Sequence, residues 1–494
     1  MSGLEVVAEG LSFPTSVTLD EAGAVYVAES GLPLGGAAPG GRIWRLDDGR
    51  RRLIVDGLQP PVNGLCYHDG ALIVSEGGRR GRLSRVGLDG RRTTILDDLP
   101  GGGNYQTNMA VVGPDERIYF SQGAATNSGI VGPDAHDLAW ADRLDQSYDH
   151  PGLEIVLTGA TFETDDPRAS GTVRCETSAF SPFGETRRPG ARLKAELPCT
   201  AAIMSVDLDG RNLELVAWGL RNAFGVGFLP DGRLLAIDQG ADDRGSRPVG
   251  DAPDLLLEIR PGHFYGWPDF IAGTPITDPC FHPQRGLAPQ FLLSNHDELP
   301  PPECALAAFE SHVAATKFTL LPDGKLVVAL FGDERPLTAP RGERRGRSLA
   351  VVETADWAMT DLAIAGLDRP IDVCYDAGRD EILCLDFGRF EMTADGFIAA
   401  ARSGTLARIG AESVAGHDDS VGGATGHMLS EPRPASGLPA GEPAGDDSVC
   451  LVRDPHLTEG SDEDHKESVR ADRIGSSAVG SHVGTCARQA WRPA

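Results

Sequence analysis

The sequence predicts an all-β fold, a six-bladed β-propeller built from four-stranded antiparallel blades. A two-strand unit recurs six times, and further strand candidates lie between its copies. The 494 residues include 62 glycines and 35 prolines, which fit short strands joined by tight turns better than long helices. Closing such blades into a ring explains how so many short strands avoid exposed edges.

Each copy of the repeat is an apolar stretch, a Pro, Asp or Gly turn, a second apolar stretch and an acidic or glycine-containing corner. Asp-Gly and similar pairs supply the positive φ angles that a tight hairpin turn needs. The flanking aliphatic and β-branched residues suit buried strands. The six copies, each expected to form the inner hairpin of one blade, cover residues 16–30, 64–78, 109–124, 225–241, 316–333 and 371–388.

Outer strands are predicted between these copies, where shorter apolar segments close on a basic or polar turn. An inner hairpin with an outer strand pair gives a blade of four strands. The candidate outer segments are residues 41–49, 81–90, 203–210, 254–262, 347–353 and 403–410.

Two gaps break the even spacing of the repeat, at about 125–200 and 242–310. Both are too long for simple turns, so we expect insertions above the ring, where a substrate pocket is usually built. The pattern stops near residue 411. We therefore predict a propeller over 1–410 and a low-complexity, disordered acidic tail over 411–494, rich in Gly, Ser, Asp, Pro and Ala.

The chain is strongly acidic, with 72 Asp and Glu against 45 Lys and Arg, a net charge of −27. The segment from residue 411 holds 14 acidic and 7 basic residues, which leaves −20 on the predicted propeller. Such a body repels phosphate backbones, so nucleic-acid binding is not expected. No apolar run is long enough to span a membrane. The first residues lack the pattern of a signal peptide, so either the native start lies upstream or the protein stays in the cytoplasm, and the location is left open.

Nine cysteines are scattered without a CxxC motif or a zinc-like Cys/His cluster. Cys175 and Cys199 bracket one stretch of the insertions, and Cys280 and Cys304 bracket another. Each pair closes a disulfide if the protein is exported, and each stays as free thiols in a reducing compartment.

Polar side chains stand just before the inner strands when the copies are aligned on their turns. Because inner strands line the channel of a propeller, these side chains should form a ring around one axis. Polar groups line a water-filled channel in any propeller, but two arginines in an acidic protein favour an anionic ligand such as a carboxylate. The ring comprises Thr15, Asn63, Tyr105, Gln106, Asn108, Arg221, Asn222, Thr316 and Arg369.

One segment, residues 218–243, resembles a known family. Leu-Arg-Asn at 220–222, Gln-Gly at 239–240 and Tyr-Gly-Trp-Pro at 265–268 are similar to motifs of the glucose/sorbosone dehydrogenases. These are soluble propellers that oxidise sugars with pyrroloquinoline quinone and calcium, and they are usually exported. The resemblance covers roughly residues 10–410. It implies an oxidoreductase that passes hydride from a sugar to the bound quinone, with an unidentified electron acceptor.

The resemblance also implies roles for individual residues. Arg221 and Asn222 match residues that grip the carboxylate and carbonyl oxygens of the quinone, and Arg369 is similar in position to another cofactor-facing arginine. The carbonyls of Gly240 and Ala241 match a corner that binds calcium, a hard ion that prefers oxygen ligands. The ring positions counted with the cofactor-binding set are Asn63, Gln106 and Asn108.

The clearest departure from the family is at the general base. The family has a histidine where this chain has Tyr105, within Asn-Tyr-Gln-Thr-Asn at 104–108. A histidine with a pKa near neutrality removes a hydroxyl proton readily, whereas a tyrosine with a pKa near 10 does so poorly at pH 7. His312 is the best substitute candidate, the alternative being a buried histidine that holds a loop.

Three functional hypotheses follow. The leading one is a quinone-dependent sugar dehydrogenase. The second, indicated by Tyr105, is a propeller that has lost redox activity and binds a ligand or a partner. The third is a calcium-dependent lactonase-type hydrolase with Asn63, Asn108 and Asp372 around the metal ion.

Overall fold

The computed structural model describes residues 4–47, 50–137, 147–393 and 396–415. They form six sheets of four antiparallel strands, the six blades of a propeller, which confirms the predicted fold class. Strands are numbered in chain order. Blade 1 contains β2 (Pro14–Leu19), β3 (Val25–Glu29), β4 (Gly41–Asp47) and β5 (Arg50–Leu58). Blade 2 contains β6 (Val62–His68), β7 (Ala71–Glu76), β8 (Arg80–Gly87) and β9 (Arg92–Pro100). Blade 3 contains β10 (Thr107–Val112), β11 (Arg117–Gln122), β16 (Ala202–Asp207) and β17 (Glu214–Trp218).

The second half of the ring repeats this plan. Blade 4 contains β18 (Ala223–Phe228), β19 (Leu234–Asp238), β20 (Pro253–Ile259) and β23 (Ala307–Ser311). Blade 5 contains β24 (Ala315–Leu320), β25 (Lys325–Leu330), β26 (Ser348–Glu353) and β27 (Met359–Leu362). Blade 6 contains β28 (Pro370–Asp376), β29 (Glu381–Asp386), β32 (Gly404–Gly410) and β1 (Glu5–Leu11).

Blade 6 closes the ring because its outermost strand comes from the start of the chain. Strand β1 pairs antiparallel with β32, from Glu5 opposite Arg408 to Leu11 opposite Gly404. The innermost strands contact one another in the cyclic order β2, β6, β10, β18, β24, β28 and back to β2. The first residues of all six inner strands therefore surround one axis.

The hydrophobic core lies between neighbouring blades, so strands such as β3 and β7 are buried on both faces, whereas the outermost strands β5 and β9 are largely exposed. In one cluster Tyr26 and Ile43 of blade 1 pack against Leu65, Leu72 and Val74 of blade 2, and all five are fully buried. Burying one such side chain stabilises a fold by about 1.5–3 kcal/mol.

The acidic residue at the corner of the repeat has a structural role. At the end of the second strand a buried carboxylate accepts hydrogen bonds from the backbone N–H groups that precede the inner strand of the same blade. This positions the start of each inner strand, where the ring of polar residues stands. Four blades use it, through Glu29 to Ser12, Glu76 to Gln59, Asp238 to Arg221 and Asn222, and Asp386 to Asp368 and Arg369.

The insertions carry structure of their own. The first, between β11 and β16, holds helix α1 (Pro133–Asp137) and the short hairpin strands β12 (Ile155–Val156), β13 (Thr161–Asp165), β14 (Arg174–Ser178) and β15 (Arg192–Leu193). The second is split by β20 into residues 239–252 and 260–306, and the later part holds β21 (Phe270–Ile271), β22 (Thr274–Pro275) and a 3-10 helix (Pro279–Phe281).

Further elements lie outside the predicted repeat. A hairpin of β30 (Phe390–Thr393) and β31 (Gly396–Ala399) joins β29 to β32. Helix α2 (Ala411–Ala415) occupies the first residues of the predicted disordered tail, and residues 416–494 lie outside the described part of the chain. No helix in the described ranges is both long and apolar enough to cross a membrane.

Neither of the two candidate cysteine pairs is closed. Cys175, Cys199 and Cys280 are free thiols, so neither Cys175–Cys199 nor Cys280–Cys304 is bridged. Burial raises the pKa of the Cys199 thiol to about 12, which makes it unreactive near neutral pH.

Candidate functional site

Residues at the starts of the inner strands of blades 2, 3 and 4 meet at the channel through a chain of side-chain amides. Asn63 Nδ2 donates to Asn108 Oδ1 at 3.2 Å, and Asn108 Nδ2 donates to Asn222 Oδ1 at 2.8 Å. Asn222 Nδ2 donates to Gln239 Oε1 at 2.7 Å, and Gln239 Nε2 reaches the Ala315 carbonyl at 3.0 Å. The predicted convergence of Asn63, Asn108 and Asn222 is present, and these amides hydrogen-bond one another.

Arg221 lies beside this chain and is held by the protein on every nitrogen. Its Nε donates to the Asn127 carbonyl at 2.9 Å, and its Nη1 donates to the Gln239 carbonyl at 3.0 Å. Its Nη2 donates to Asn127 Oδ1 at 2.7 Å, to Asp242 Oδ2 at 3.0 Å and to the Tyr105 hydroxyl. The arginine that the family resemblance assigns to a cofactor carboxylate therefore already has a carboxylate partner in this chain.

A second arginine completes the arrangement. Arg244 Nε donates to Asp242 Oδ2 at 3.0 Å, its Nη2 donates to the Tyr105 hydroxyl at 2.9 Å, and its Nη1 pairs with Asp134. We call Arg221, Arg244, Asp242 and Tyr105 the arginine clamp. Burial opposes ionisation of Asp242, but the two adjacent guanidinium groups outweigh it and lower the pKa of this carboxyl. Asp242 is therefore the anion bound in the clamp.

Tyr105 is positioned as a hydrogen-bond acceptor for both arginines. The Arg221 guanidinium also lies over its ring, 4.5 Å from the centroid. Burial raises the pKa of the Tyr105 phenol above its usual value of 10, against the opposing effect of Arg221 and Arg244. The phenol stays protonated at neutral pH, so it cannot serve as a general base there.

His312 lies next to the clamp but is closed off from solvent. Its side chain is 1 % exposed, with Nδ1 3.8 Å from Asp242 Oδ1 and Nε2 3.8 Å from Asp251 Oδ1. Its backbone has a φ of 65°, in the left-handed region that non-glycine residues rarely adopt. Neither separation is a hydrogen bond, and Nε2 is buried without a hydrogen-bond partner. The burial of the side chain favours a structural histidine over a substitute base.

Gln106 and Arg369 of the predicted ring do not reach the clamp. Gln106 bridges loops, because its Oε1 accepts from Gly78 N and its Nε2 donates to the Gly103 carbonyl, both at 3.0 Å. Arg369 is fully buried between Glu334 and Glu391, at 2.7 and 3.1 Å from Nη2. Its Nε and Nη1 donate to backbone carbonyls, which are those of Phe331, Gly332, Asp333 and Phe390.

The Gly240–Ala241 corner borders the clamp. Gly240 N donates to Asp254 Oδ1 at 2.7 Å, and a methyl group at position 240 would lie 2.5 Å from the carbonyl oxygens of Ala252 and Pro253. Only glycine fits there without a backbone shift. The corner faces a cavity of about 30 Å³, room for about two water molecules. Polar and aromatic side chains both line it, with Arg221, Gln239, Tyr265, Trp267 and Phe270 among them.

The residues present do not fit pyrroloquinoline quinone in this arrangement. A carboxylate-bearing cofactor needs unpaired cationic donors, and the nitrogens of both Arg221 and Arg369 already donate to protein acceptors. The described residues contain no cluster of three or more His, Cys, Asp or Glu side chains that could hold a metal ion. Calcium at the Gly240–Ala241 corner would thus depend on backbone carbonyl oxygens and on a quinone for which the clamp has no free donor.

The lactonase-type arrangement is not formed either. Asn63 and Asn108 hydrogen-bond each other, while Asp372 Oδ2 accepts from the Val17 backbone and lies 3.5 Å from Lys317 Nζ. An ammonium group therefore stands beside the carboxylate where that hypothesis needs a metal ion.

Sequence reasoning missed the residues that fill the site, namely Asn127, Asp242, Arg244 and Lys317. The first three lie on insertions that no repeat copy aligns. Lys317 directly follows Thr316 of the predicted ring and is one of only four lysines in the chain, a signal that would have singled it out.

No protein-family model matches this sequence, and no curated protein matches it. The structure is similar to a putative glucose dehydrogenase from Thermus thermophilus, with a TM-score of 0.50 and 16 % identity, covering 83 % of this chain and 99 % of that one. It is also similar to the holo form of the pyranose dehydrogenase PQQ domain from Coprinopsis cinerea, with a TM-score of 0.50 and 13 % identity, covering 82 % of this chain and 94 % of that one. The resemblance to sugar dehydrogenases noted from the sequence thus extends to the propeller fold of this chain.

Proposed function

We propose that this chain is a propeller of the sugar dehydrogenase fold that binds a neutral, hydroxyl-rich ligand and does not catalyse quinone-dependent oxidation. The observation that carries the proposal is the filled arginine clamp. Asp242 lies 3.0 Å from nitrogens of both Arg221 and Arg244, so a carboxylate-bearing cofactor finds no free cation. Tyr105 stands at the base position as a protonated phenol.

The ligand class follows from what remains available beside the clamp. Neutral sugars need amide and hydroxyl partners and a flat aromatic surface rather than a free charge. The cavity next to the Gly240 corner offers one polar partner that the protein leaves free, because Trp267 Nε1 is a buried donor without a hydrogen-bond partner. Its other lining residues include the polar Gln239 and Ser128 and the aromatic Tyr265 and Phe270. Its volume of about 30 Å³ suits the hydroxymethyl end of a larger molecule.

The experiment that tests this proposal compares cofactor binding with ligand binding. Wild-type protein is mixed with pyrroloquinoline quinone and calcium, and quinone absorbance and dye reduction are followed with a panel of aldoses. The same sugars and their anionic aldonates are then screened by thermal unfolding. We expect no change in quinone absorbance, no dye reduction, and a higher Tm with a neutral sugar than with its aldonate. Sugar-dependent dye reduction would overturn the proposal.

One observation favours quinone-dependent sugar oxidation as a second candidate function. Arg221, Asn222 and Gly240 lie around one site, as the family resemblance implies for the cofactor. For this function Asp242 must leave the clamp.

Two variants distinguish the candidates. Asp242→Asn removes the internal carboxylate charge, and Tyr105→His restores the residue type of the family at the base position. If the double variant binds the quinone and reduces dye while wild type does neither, the fold retains a latent dehydrogenase site. If the double variant neither binds the quinone nor reduces dye, ligand binding is favoured, and quinone binding by Tyr105→His alone, which keeps Asp242, would contradict the clamp argument.

A further inference from the structure

The axis of the propeller is occupied by the ammonium group of Lys317. This residue belongs to β24 of blade 5, and its side chain is 3 % exposed. Its Nζ donates to the carbonyls of Thr15 and Asn63, both at 2.7 Å, and to Ser16 Oγ at 2.9 Å. Asp372 Oδ2 lies 3.5 Å away. Four oxygens from blades 1, 2 and 6 therefore surround one cation.

These four oxygens form a set that suits a hard cation. Two are backbone carbonyls, one is a hydroxyl and one is a carboxylate oxygen, the ligand types that calcium and similar ions take in proteins. The carboxylate is held in place, because Asp372 Oδ2 also accepts from Val17 N at 2.9 Å and Ser16 Oγ at 3.1 Å. We call this set the oxygen cage.

The residue type at this position carries further information. Basic residues of this chain are almost all arginine, with 41 Arg against 4 Lys. Lysine nevertheless stands at the axis, where three short contacts converge on a single nitrogen atom. A compact ammonium group fills such a cage, whereas the planar guanidinium of arginine presents its donors in a fork.

A lysine that only satisfies polar backbone groups would not need a carboxylate among its contacts. Here the contacts include Asp372, a buried charge that is costly to leave unpaired. The ring of Phe224 in blade 4 adds a fifth blade, with its centroid 5.6 Å from Nζ. The ammonium thus lies against parts of blades 1, 2, 4 and 6 while its stem comes from blade 5.

We propose that the oxygen cage is a binding site for a compact hard cation, that the chain fills it with the ammonium of Lys317, and that it takes a free cation when this side chain is removed. The free cations that match its chemistry are a small alkylammonium ion and Ca²⁺. In the wild-type protein the Lys317 ammonium already occupies the site, and the channel is closed at its axis to metal ions.

The test uses two substitutions at one position. Lys317→Ala empties the cage, and Lys317→Met removes the charge but keeps most of the volume. Tm and isothermal titration are measured with ethylammonium chloride and with CaCl₂, at ionic strength balanced by NaCl. Lys194→Ala, at an exposed lysine, controls for calcium that binds to the acidic surface.

We expect Lys317→Ala to bind about one cation per chain, with a Tm rise of at least about 3 °C at saturation. Lys317→Met and Lys194→Ala should show no such rise. Adding Asp372→Asn to Lys317→Ala should abolish the calcium response. Equal responses of the alanine and methionine variants, or calcium binding that survives Asp372→Asn, would overturn the proposal.

The test remains decisive if Lys317→Ala does not fold on its own. Its refolding yield is then measured with and without CaCl₂ or ethylammonium, beside that of Lys317→Met. A yield that rises with cation only for the alanine variant supports the proposal, and a yield that does not respond overturns it.

Discussion

Removal of the Asp242 carboxylate should destabilise the propeller and open a site for a small anion. In the wild-type protein Asp242 Oδ2 lies 3.0 Å from Arg221 Nη2 and from Arg244 Nε. The two arginine side chains are 5 % and 4 % exposed, so water cannot replace the lost carboxylate easily. Asp242→Ala and Asp242→Asn therefore leave two buried positive charges without their shared partner.

The expected loss can be estimated from the pairing. Removing one partner of a buried ion pair costs about 3–5 kcal/mol. The unfolding entropy of a propeller of about 400 residues is roughly 0.8 kcal/mol/K, from about 2.1 cal/mol/K per residue. The Tm should therefore fall by about 4–6 °C. We expect the lower end of this range, because Asn127, Gln239 and Tyr105 still accept hydrogen bonds from Arg221.

The assay is thermal unfolding followed by circular dichroism at pH 7, with sodium formate or with NaCl at the same ionic strength. Formate should recover much of the loss in Asp242→Ala, where a carboxylate fits the vacated space, and little in Asp242→Asn. Asp231→Asn, which breaks an exposed pair with Arg233, is the matched control and should change Tm little. An unchanged Tm in both Asp242 variants, or an equal effect of formate and chloride, would refute the reasoning.

Three further predictions concern Tyr105, the Gly240 corner and the buried carboxyl groups. Tyr105→Phe removes the acceptor shared by two guanidinium groups and should lower the free energy of unfolding by about 1–3 kcal/mol. This corresponds to a Tm loss of about 1–4 °C. An unchanged Tm would mean that the hydroxyl is not part of the clamp. Gly240→Ala forces a methyl group to 2.5 Å from two backbone carbonyl oxygens and should lower the free energy of unfolding by a similar amount. Gly410→Ala, where a methyl group makes only ordinary contacts, is the control and should leave the Tm unchanged. Stability should also fall as pH rises from about 4 to 7, because burial raises the pKa of three carboxyl groups above the unfolded value near 4, so the folded state binds more protons in this window. These groups are Asp238 with a pKa of about 7, Asp254 with about 6 and Glu334 with about 7. We expect a higher Tm at pH 5 than at pH 7.5 by circular dichroism, and a Tm that rises over this interval would contradict the assignment.

The ring of blades was predictable because its physics repeats along the chain. Each inner hairpin needs a tight turn between two buried strands, and each leaves the same trace in the sequence. The acidic corner was visible too, since Glu29, Glu76 and Asp238 end the second strand of their blades. Its role in fixing the loop before the inner strand could be recognised only from the hydrogen bonds of the structure.

Inside the insertions the sequence has no period to align. The strands β12 to β15 are short, and β12 pairs with β15 over a distance of more than 30 residues along the chain. Local propensity is a weak guide for such elements, because tertiary contacts decide whether they form.

The candidate site, like the fold, was predictable where the repeat could be aligned and not elsewhere. Asn63, Asn108, Arg221 and Asn222 were placed together correctly because the aligned turns fix their distance from the axis. The same alignment could not tell where a long side chain points. Arg369 turns toward Glu334 and Glu391 instead, since these buried carboxylates offer it partners close by.

The filled clamp decides what this site can bind. Asp242 and Arg244 lie on one short loop, which holds the carboxylate beside the two arginines. An anionic ligand must displace this carboxylate. The affinity of the ligand is therefore multiplied by the small fraction of molecules in which Asp242 has left the clamp. If that step costs about 3 kcal/mol, the affinity drops by roughly 150-fold. A neutral ligand meets no such competition. The choice between a binding protein and a latent dehydrogenase therefore depends on one carboxylate that no repeat of the sequence places, and Asp242→Asn tests it directly.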